Sequence, residues 1–222
     1  FDEMVIAIDG PAGSGKTTTA KFVAEKLGFI HINTGAMYRG ITLKCIQGDI
    51  TMKNSSQLNH LLANTKFKFA KEGGSTLVMD GVDISAEITS AQVTDFVSYV
   101  STISAVREKL VQYQRDMAEG IDVVLEGRDI GTVVFPNAEY KFFLVADIHE
   151  RAMRRKKEMD AKGEVVSLEE LTSEMEERDR KDSTRKHSPL KKAEDAVEID
   201  TTGISIEEQV NRIVEIVNKT IK

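Results

Sequence analysis

The stretch Val5 to Thr18, VIAIDGPAGSGKTT, limits what this chain can fold into more than any other segment. A short apolar run enters a glycine-rich segment that satisfies G-x-x-x-x-G-K-[ST], and an amphipathic helical pattern opens directly behind it. Glycines let backbone N–H groups converge without a Cβ in the way, and the N-terminus of the following helix adds partial positive charge. Strand, cradle and helix in that order are built for phosphate. Gly10, Pro11, Ala12, Gly13, Ser14, Gly15, Lys16, Thr17 and Thr18 are therefore expected to hold the phosphates of a nucleoside triphosphate. Lys16 would reach the β- and γ-phosphates, and the Thr17 hydroxyl would ligate Mg2+.

Four more β-rich runs follow, at Phe29 to Ile32, Asp122 to Leu125, Lys141 to Val145 and Ala196 to Ile199. Runs this short and apolar suit strands covered on both faces, as in a parallel sheet. Helical spacing separates most of them, as in Ala20, Val23, Ala24 and Leu27, and again in Ile103, Val106, Leu110 and Met117. Ser167 with Glu170, and Ser205 with Glu208, read as capping boxes. Alternating strands and helices predict a doubly wound α/β fold. One stretch, about 66–88, breaks the rhythm: Phe67 and Phe69 alternate with lysines, Glu72-Gly73-Gly74 offers a turn, and Leu77 and Met79 precede Asp80-Gly81. It predicts a small antiparallel insert, with a helix at Leu58, Leu61 and Leu62 ahead of it.

Composition narrows the partners. A formal charge of −6 over 222 residues gives no general reason to bind nucleic acid or an anionic membrane, so any basic site must be local. A lone Cys45 excludes an intramolecular disulfide, and no apolar run reaches the roughly 18 residues of a membrane span. No secretory signal is read, the expected location is the cytoplasm, and a monomer is expected. Phe1-Asp2-Glu3, ahead of Met4, are set aside as a remnant. The four histidines, His31, His60, His149 and His187, lack metal-ligand spacing, and Cys45 shares helical spacing with Tyr38 and Ile41, which reads as packing.

A phosphate cradle does not name an acceptor. NTGAMYRG, Asn33 to Gly40, follows the second strand and carries Tyr38 and Arg39 into a helix at the same sheet edge. LEGRDIGTVVF, Leu125 to Phe135, sets Arg128 and Asp129 at the end of the third strand, where carboxyl ends of strands line one crevice. Arginine suits a phosphate through its bidentate fork, and aspartate suits a base or ribose donor. Glu126 stands where an acid could order Mg2+-bound water. Arg151, Arg154 and Arg155 share one helix face, either as a solvated stripe or as a lid over phosphates. Arg178, Asp182 and Arg185 can share another.

Taken together, GPAGSGKTT, NTGAMYRG, LEGRDIGTVVFP and RDRKDSTRKHSPLKKAEDAVEID, in this order, resemble the bacterial cytidylate kinase family of P-loop nucleoside monophosphate kinases. The likeness runs from Met4 over nearly the whole chain. It implies a single P-loop kinase domain over 4–222, with a five-stranded parallel sheet flanked by helices. It also implies a monophosphate-binding part over 34–100, whose small antiparallel sheet matches the insert, and a helical lid at about 150–165. By the same resemblance Gly10 to Thr18 hold ATP, Thr34, Tyr38, Arg39, Arg128 and Arg185 surround the acceptor phosphate, Ser98, Arg107 and Asp129 read cytosine, and Arg178 and Asp182 lie near ribose and phosphate. Lys16, Arg128 and Arg185 are the expected catalytic groups. Asn33 departs from the family, which commonly has an aspartate before Thr/Ser-Gly-Ala. The implied reaction is ATP-dependent phosphorylation of CMP, and of dCMP, with Mg2+. A kinase for UMP or another small acceptor, or a nucleotide switch that transfers nothing, are the alternatives.

Overall fold

The computed structural model describes residues 3–51, 55–69 and 76–220. Phe1, Asp2 and the turn read at Glu72-Gly73-Gly74 lie outside them. The main-sheet strands are β1 (Val5–Asp9) and β2 (Ile30–Asn33), then β6 (Val123–Gly127), β7 (Tyr140–Val145) and β8 (Val197–Asp200). A small sheet holds β3 (Phe67–Phe69), β4 (Leu77–Met79) and β5 (Val82–Asp83). The helices are α1 (Lys16–Leu27), α2 (Thr34–Gln47), α3 (Ser55–Ala63), α4 (Ala91–Val100), α5 (Ser104–Ala118), α6 (Ile148–Ala161), α7 (Leu168–Thr184) and α8 (Ile206–Thr220).

The main sheet runs in the order β2, β6, β1, β7, β8, with every pairing parallel. Its five strands are the five apolar runs of the sequence, with ends shifted by at most two residues. β6 is the instructive case. Apolarity stops at Leu125, but the ladder continues because Glu126 and Gly127 pair with Ile8 and Asp9 of β1. Strand pairing, more than hydrophobicity, sets that boundary, and it carries a carboxylate to the sheet edge.

Alternation along the strands divides the core. Ile6, Ile8, Val124, Phe142 and Leu144 meet Ala20, Val23 and Ala24 of α1 and Val210, Ile213 and Val217 of α8. Ala7, Val123 and Leu125 belong to a second cluster, with Ile32, Ala118, Ile130 and Val134. A third cluster joins α2, α3, α4 and α5 to the small sheet through Ile41, Leu58, Phe67, Met79, Val97 and Leu110. The insert is antiparallel, with Phe67 opposite Met79 and Phe69 opposite Leu77, as the alternation predicted. Cys45 is buried in the same cluster, where burial pushes its thiol up to about 11. It is packing.

Helix starts follow their caps. Ser167 Oγ accepts from Glu170 N at 3.1 Å while Glu170 Oε2 accepts from Ser167 N, a complete capping box ahead of α7. Ser205 Oγ accepts from Glu208 N ahead of α8. Asn33 Oδ1 accepts from Ala36 N at 3.0 Å, so α2 begins at Thr34. One element gave no periodic signal. Ile130–Val134 is a π-type turn closed by Phe135 N to Ile130 O at 2.7 Å.

Candidate active site

The phosphate loop lies at the carboxyl end of β1, at the centre of the sheet. The loop's glycines are required by geometry. A Cβ on Gly10 would fall 2.4 Å from the Leu144 carbonyl, and Gly15, which caps α1, sits at φ 84°. Ser14 Oγ donates to Pro11 O at 2.9 Å, and Thr201 Oγ1 donates to Ser14 O at 3.1 Å, so the loop is braced from inside and from beyond β8. Lys16 Nζ donates to Pro11 O at 3.1 Å. Burial, then Arg128, pushes its ammonium down to about 7, against the pull of Glu126.

Thr17 Oγ1 donates to Glu126 Oε2 at 2.7 Å, and His31 Nε2 lies 3.2 Å from Glu126 Oε1. A hydroxyl on α1 and a carboxylate on β6 thereby share one point beside the loop. Sequence spacing separates them by 109 residues; adjacency of β1 and β6 removes that distance.

Beyond Glu126 the chain turns into a second pocket. It is lined by Thr34, Tyr38, Arg39, Ser98, Arg107, Arg128, Asp129, Arg178, Asp182 and Arg185, all ten acceptor-side residues read in the sequence. Arg107 Nη2 donates to Asp129 Oδ2 in a buried ion pair, and the Arg107 guanidinium stands 5.2 Å from the Tyr38 ring centre. Arg128 pairs with Asp182, and Arg185 Nη1 lies 3.7 Å from Asp182 Oδ1. Burial pushes the Asp182 carboxyl up, but Arg128, Arg178 and Arg185 outweigh it and hold it below the ordinary carboxylate range. Thr34 Oγ1 donates to Glu126 O at 2.7 Å, and Arg39 Nη1 donates to Ile88 O and Thr94 Oγ1, both at 3.0 Å.

The loop's cleft and this pocket meet. Arg39, Arg128 and Arg178 line both. Burial, then the neighbouring Arg128, pushes Arg178 down to about 10, with Arg39 and Arg155 adding to the repulsion. Ser98 Oγ, Arg178 Nε and Arg185 Nη2 are buried with no hydrogen-bond partner among the described residues. Buried donors without acceptors, crowded by like charge, suit an anionic ligand.

The family model described as cytidylate kinase matches residues 6–219. The chain belongs to the cytidylate kinase family. It is 48% identical to a cytidylate kinase of Pediococcus pentosaceus, covering 98% of this chain and 96% of that one. It is 51% identical to a cytidylate kinase of Desulforamulus reducens, covering 96% of each. Among solved structures it is similar in fold to a shikimate kinase from Bacteroides thetaiotaomicron, with TM-score 0.51 and 13% identity over 97% of this chain and 98% of that one. An uncharacterized protein from Eubacterium ventriosum matches with TM-score 0.53 and 13% identity, over 97% and 99% of the two chains.

In this member of the cytidylate kinase family the three arginines of α6 do different things. Arg151 is buried, donating to Ala146 O and Ala12 O at 3.1 Å each and to Asp179 Oδ2 at 2.6 Å. It ties α6 and α7 to the phosphate loop. Arg154 donates to Thr201 O at 2.7 Å, and Arg155 lines the cleft beside the phosphate loop. Sequence reading missed Asp9, whose buried carboxylate accepts from Ile130 N and Gly131 N. The available signal was an acid closing an otherwise apolar strand, VIAID. Asp179 was missed as well, because an acid on a charged helix surface gives no sign of its partner.

Proposed function

We propose that this chain transfers a phosphoryl group from ATP to CMP, and also to dCMP, giving ADP and the pyrimidine nucleoside diphosphate. Membership of the cytidylate kinase family supports CMP as acceptor and ATP as donor. The observation that carries the mechanism is the junction of the two clefts at Arg39, Arg128 and Arg178. A donor phosphate held at the loop and an acceptor phosphate held in the pocket would meet there.

Phosphoryl transfer asks little covalent chemistry of a protein. It asks for in-line positioning and for positive charge where negative charge spreads in the transition state. Lys16, Arg128 and Arg185 are assigned that charge, with Gly10 to Thr18 holding ATP. Thr34, Tyr38 and Arg39 are assigned to the acceptor phosphate, Ser98, Arg107 and Asp129 to the base, and Arg178 and Asp182 to ribose and phosphate. No side-chain nucleophile is needed. The acceptor's own phosphate oxygen attacks, ADP leaves, and guanidinium groups hold both ends.

The hydroxyl of Thr17 and the carboxylate of Glu126, in contact at 2.7 Å, fit Mg2+ that arrives with ATP and keeps phosphate and water ligands. When bound, the ion would neutralise charge on the β- and γ-phosphates. Asn33 supplies no carboxylate to that point and instead caps α2. Residues 34–100 are proposed as the monophosphate-binding part, and about 150–165 as the lid. The shared core of α2, α3, α4 and the small sheet supports the first of these. A monomer acting in the cytoplasm without nucleic acid is the setting proposed, on the acidic balance and a cleft complete within one chain. Among the described residues no helix is long and apolar enough to cross a membrane.

The deciding experiment measures ADP formation with CMP, dCMP, UMP and no acceptor. CMP-dependent ADP and CDP in equal amounts are expected. An ADP rate indifferent to acceptor would instead mark a nucleotide switch, and a UMP rate matching CMP would mark a broader pyrimidine kinase.

A further inference from the structure

Asp9 closes β1 and stands immediately before the phosphate loop, yet both of its carboxylate oxygens are engaged by a different segment. Oδ1 accepts from Ile130 N at 2.9 Å and Oδ2 accepts from Gly131 N at 2.8 Å, across 121 and 122 residues of chain. The residue is only 4% exposed. A buried carboxylate is costly unless it is paired. Here two backbone donors pair it, and those donors open the π-type turn that directly follows Arg128 and Asp129.

The turn is rigid beyond that point. Val133 N and Val134 N both donate to the Asp129 carbonyl, at 2.9 and 3.1 Å, so the Asp129 peptide is fixed from the far side. Asp9 fixes it from the near side, using the central strand of the sheet as the anchor. Arg128 and Asp129 then leave the same short segment toward different partners, Asp182 on α7 and Arg107 on α5. Neighbouring side chains keep such divergent aims only while the backbone between them is held.

We infer that Asp9 is a positioning residue for acceptor choice: its carboxylate clamps the turn that aims Asp129 at the base and Arg128 at the acceptor phosphate. The inference rests on the assignment of Asp129 to the base made above. The phosphate loop does not depend on this clamp, because Ser14, Thr201 and Arg151 brace it separately. The effect of losing Asp9 therefore falls on the acceptor and spares ATP.

Asp9→Asn tests this, since it preserves shape but turns an NH2 group toward one of the two N–H donors. Steady-state kinetics with ATP, CMP and UMP, with thermal unfolding as the check on folding, give the readout. Misplacement by a fraction of an ångström predicts a rise in KM for CMP of about 10-fold and a fall in the CMP/UMP kcat/KM ratio of similar size, with KM for ATP within about 2-fold. A folded variant whose CMP KM and CMP/UMP ratio match the parent overturns the inference. So does a rise in KM for ATP equal to that for CMP, which would place Asp9 in support of the donor loop. Asp9→Ser, which keeps one acceptor oxygen, repeats the comparison should Asp9→Asn not fold. Failure of both to fold would assign Asp9 to the fold alone and also overturn the inference. Failure of the underlying reading looks different: the unaltered protein would then show no preference for CMP over UMP.

Discussion

Arg128 Nε donates to Asp182 Oδ2 across 3.0 Å, and this ion pair latches the turn after β6 to the C-terminal part of α7. Asp182 also faces Arg178 and Arg185, so one carboxylate balances three guanidinium groups. Asp182→Ala leaves those groups facing one another. Removing one partner of a buried pair costs about 3 kcal/mol, reduced here by the partial exposure of Arg128. Urea denaturation should show a loss of up to that size. A variant as stable as the parent would show that Asp182 does not balance the three guanidinium groups.

Lys16→Ala should cut kcat by roughly 10²-fold or more, the usual effect of removing one preorganised charge from a transition state. The fold should survive. Burial already pushes the ammonium down to about 7, so the native state gains little from keeping it charged. A coupled ADP assay and a thermal melt check both halves, and near-normal turnover would refute the role of the lysine.

Asp129→Ala bears on base choice. Cytosine presents an N4 amino donor and acceptors at N3 and O2, whereas uracil presents O4 and N3–H; an acidic side chain reads the first and repels the second. Sites built on such hydrogen bonds discriminate strongly, so the unaltered protein should prefer CMP over UMP by roughly 10²-fold or more in kcat/KM. Asp129→Ala should lose most CMP activity and shrink that ratio, since it also strips Arg107 of its buried partner. Lys16→Ala should lower both substrates together. An unchanged ratio in Asp129→Ala would show that another group reads the base.

Asp9 gives a pH prediction with a definite sign. Burial pushes its carboxyl up from 3.8 to about 6, with Asp129 adding to the shift and the Gly131 and Ile130 N–H groups and Lys16 opposing it. A folded value above the unfolded one means that the contribution is fully present below 3.8 and is lost as pH rises through about 6. The gap corresponds to about 3 kcal/mol. Urea denaturation at steps from about pH 4 to about pH 7 should therefore show the parent losing up to that amount relative to Asp9→Asn. Parallel curves for the two proteins would contradict the shift.

Local patterns carried much of this molecule. VIAID followed by GPAGSGKTT placed a strand, a phosphate loop and a helix, and the capping pair Ser167 and Glu170 marked where α7 begins. Alternation at Phe67, Phe69, Leu77 and Met79 exposed the antiparallel insert. Those signals are readable because each arises within a few residues, from backbone geometry and the period of side-chain burial. The acceptor-side residues became legible only through several motifs taken jointly, since one arginine on a helix looks the same solvated or functional.

What the sequence determined by itself, then, is the set of elements and the side chains that carry charge at their ends. Which of those charges meet was decided by the strand order β2, β6, β1, β7, β8. That order brings Thr17 to Glu126, Asp9 to the Ile130 and Gly131 amides, and Ala12 to Arg151. No local pattern encodes these contacts. A carboxylate's partner is chosen by the low-dielectric space it ends in, and that space exists only once the sheet has closed around it.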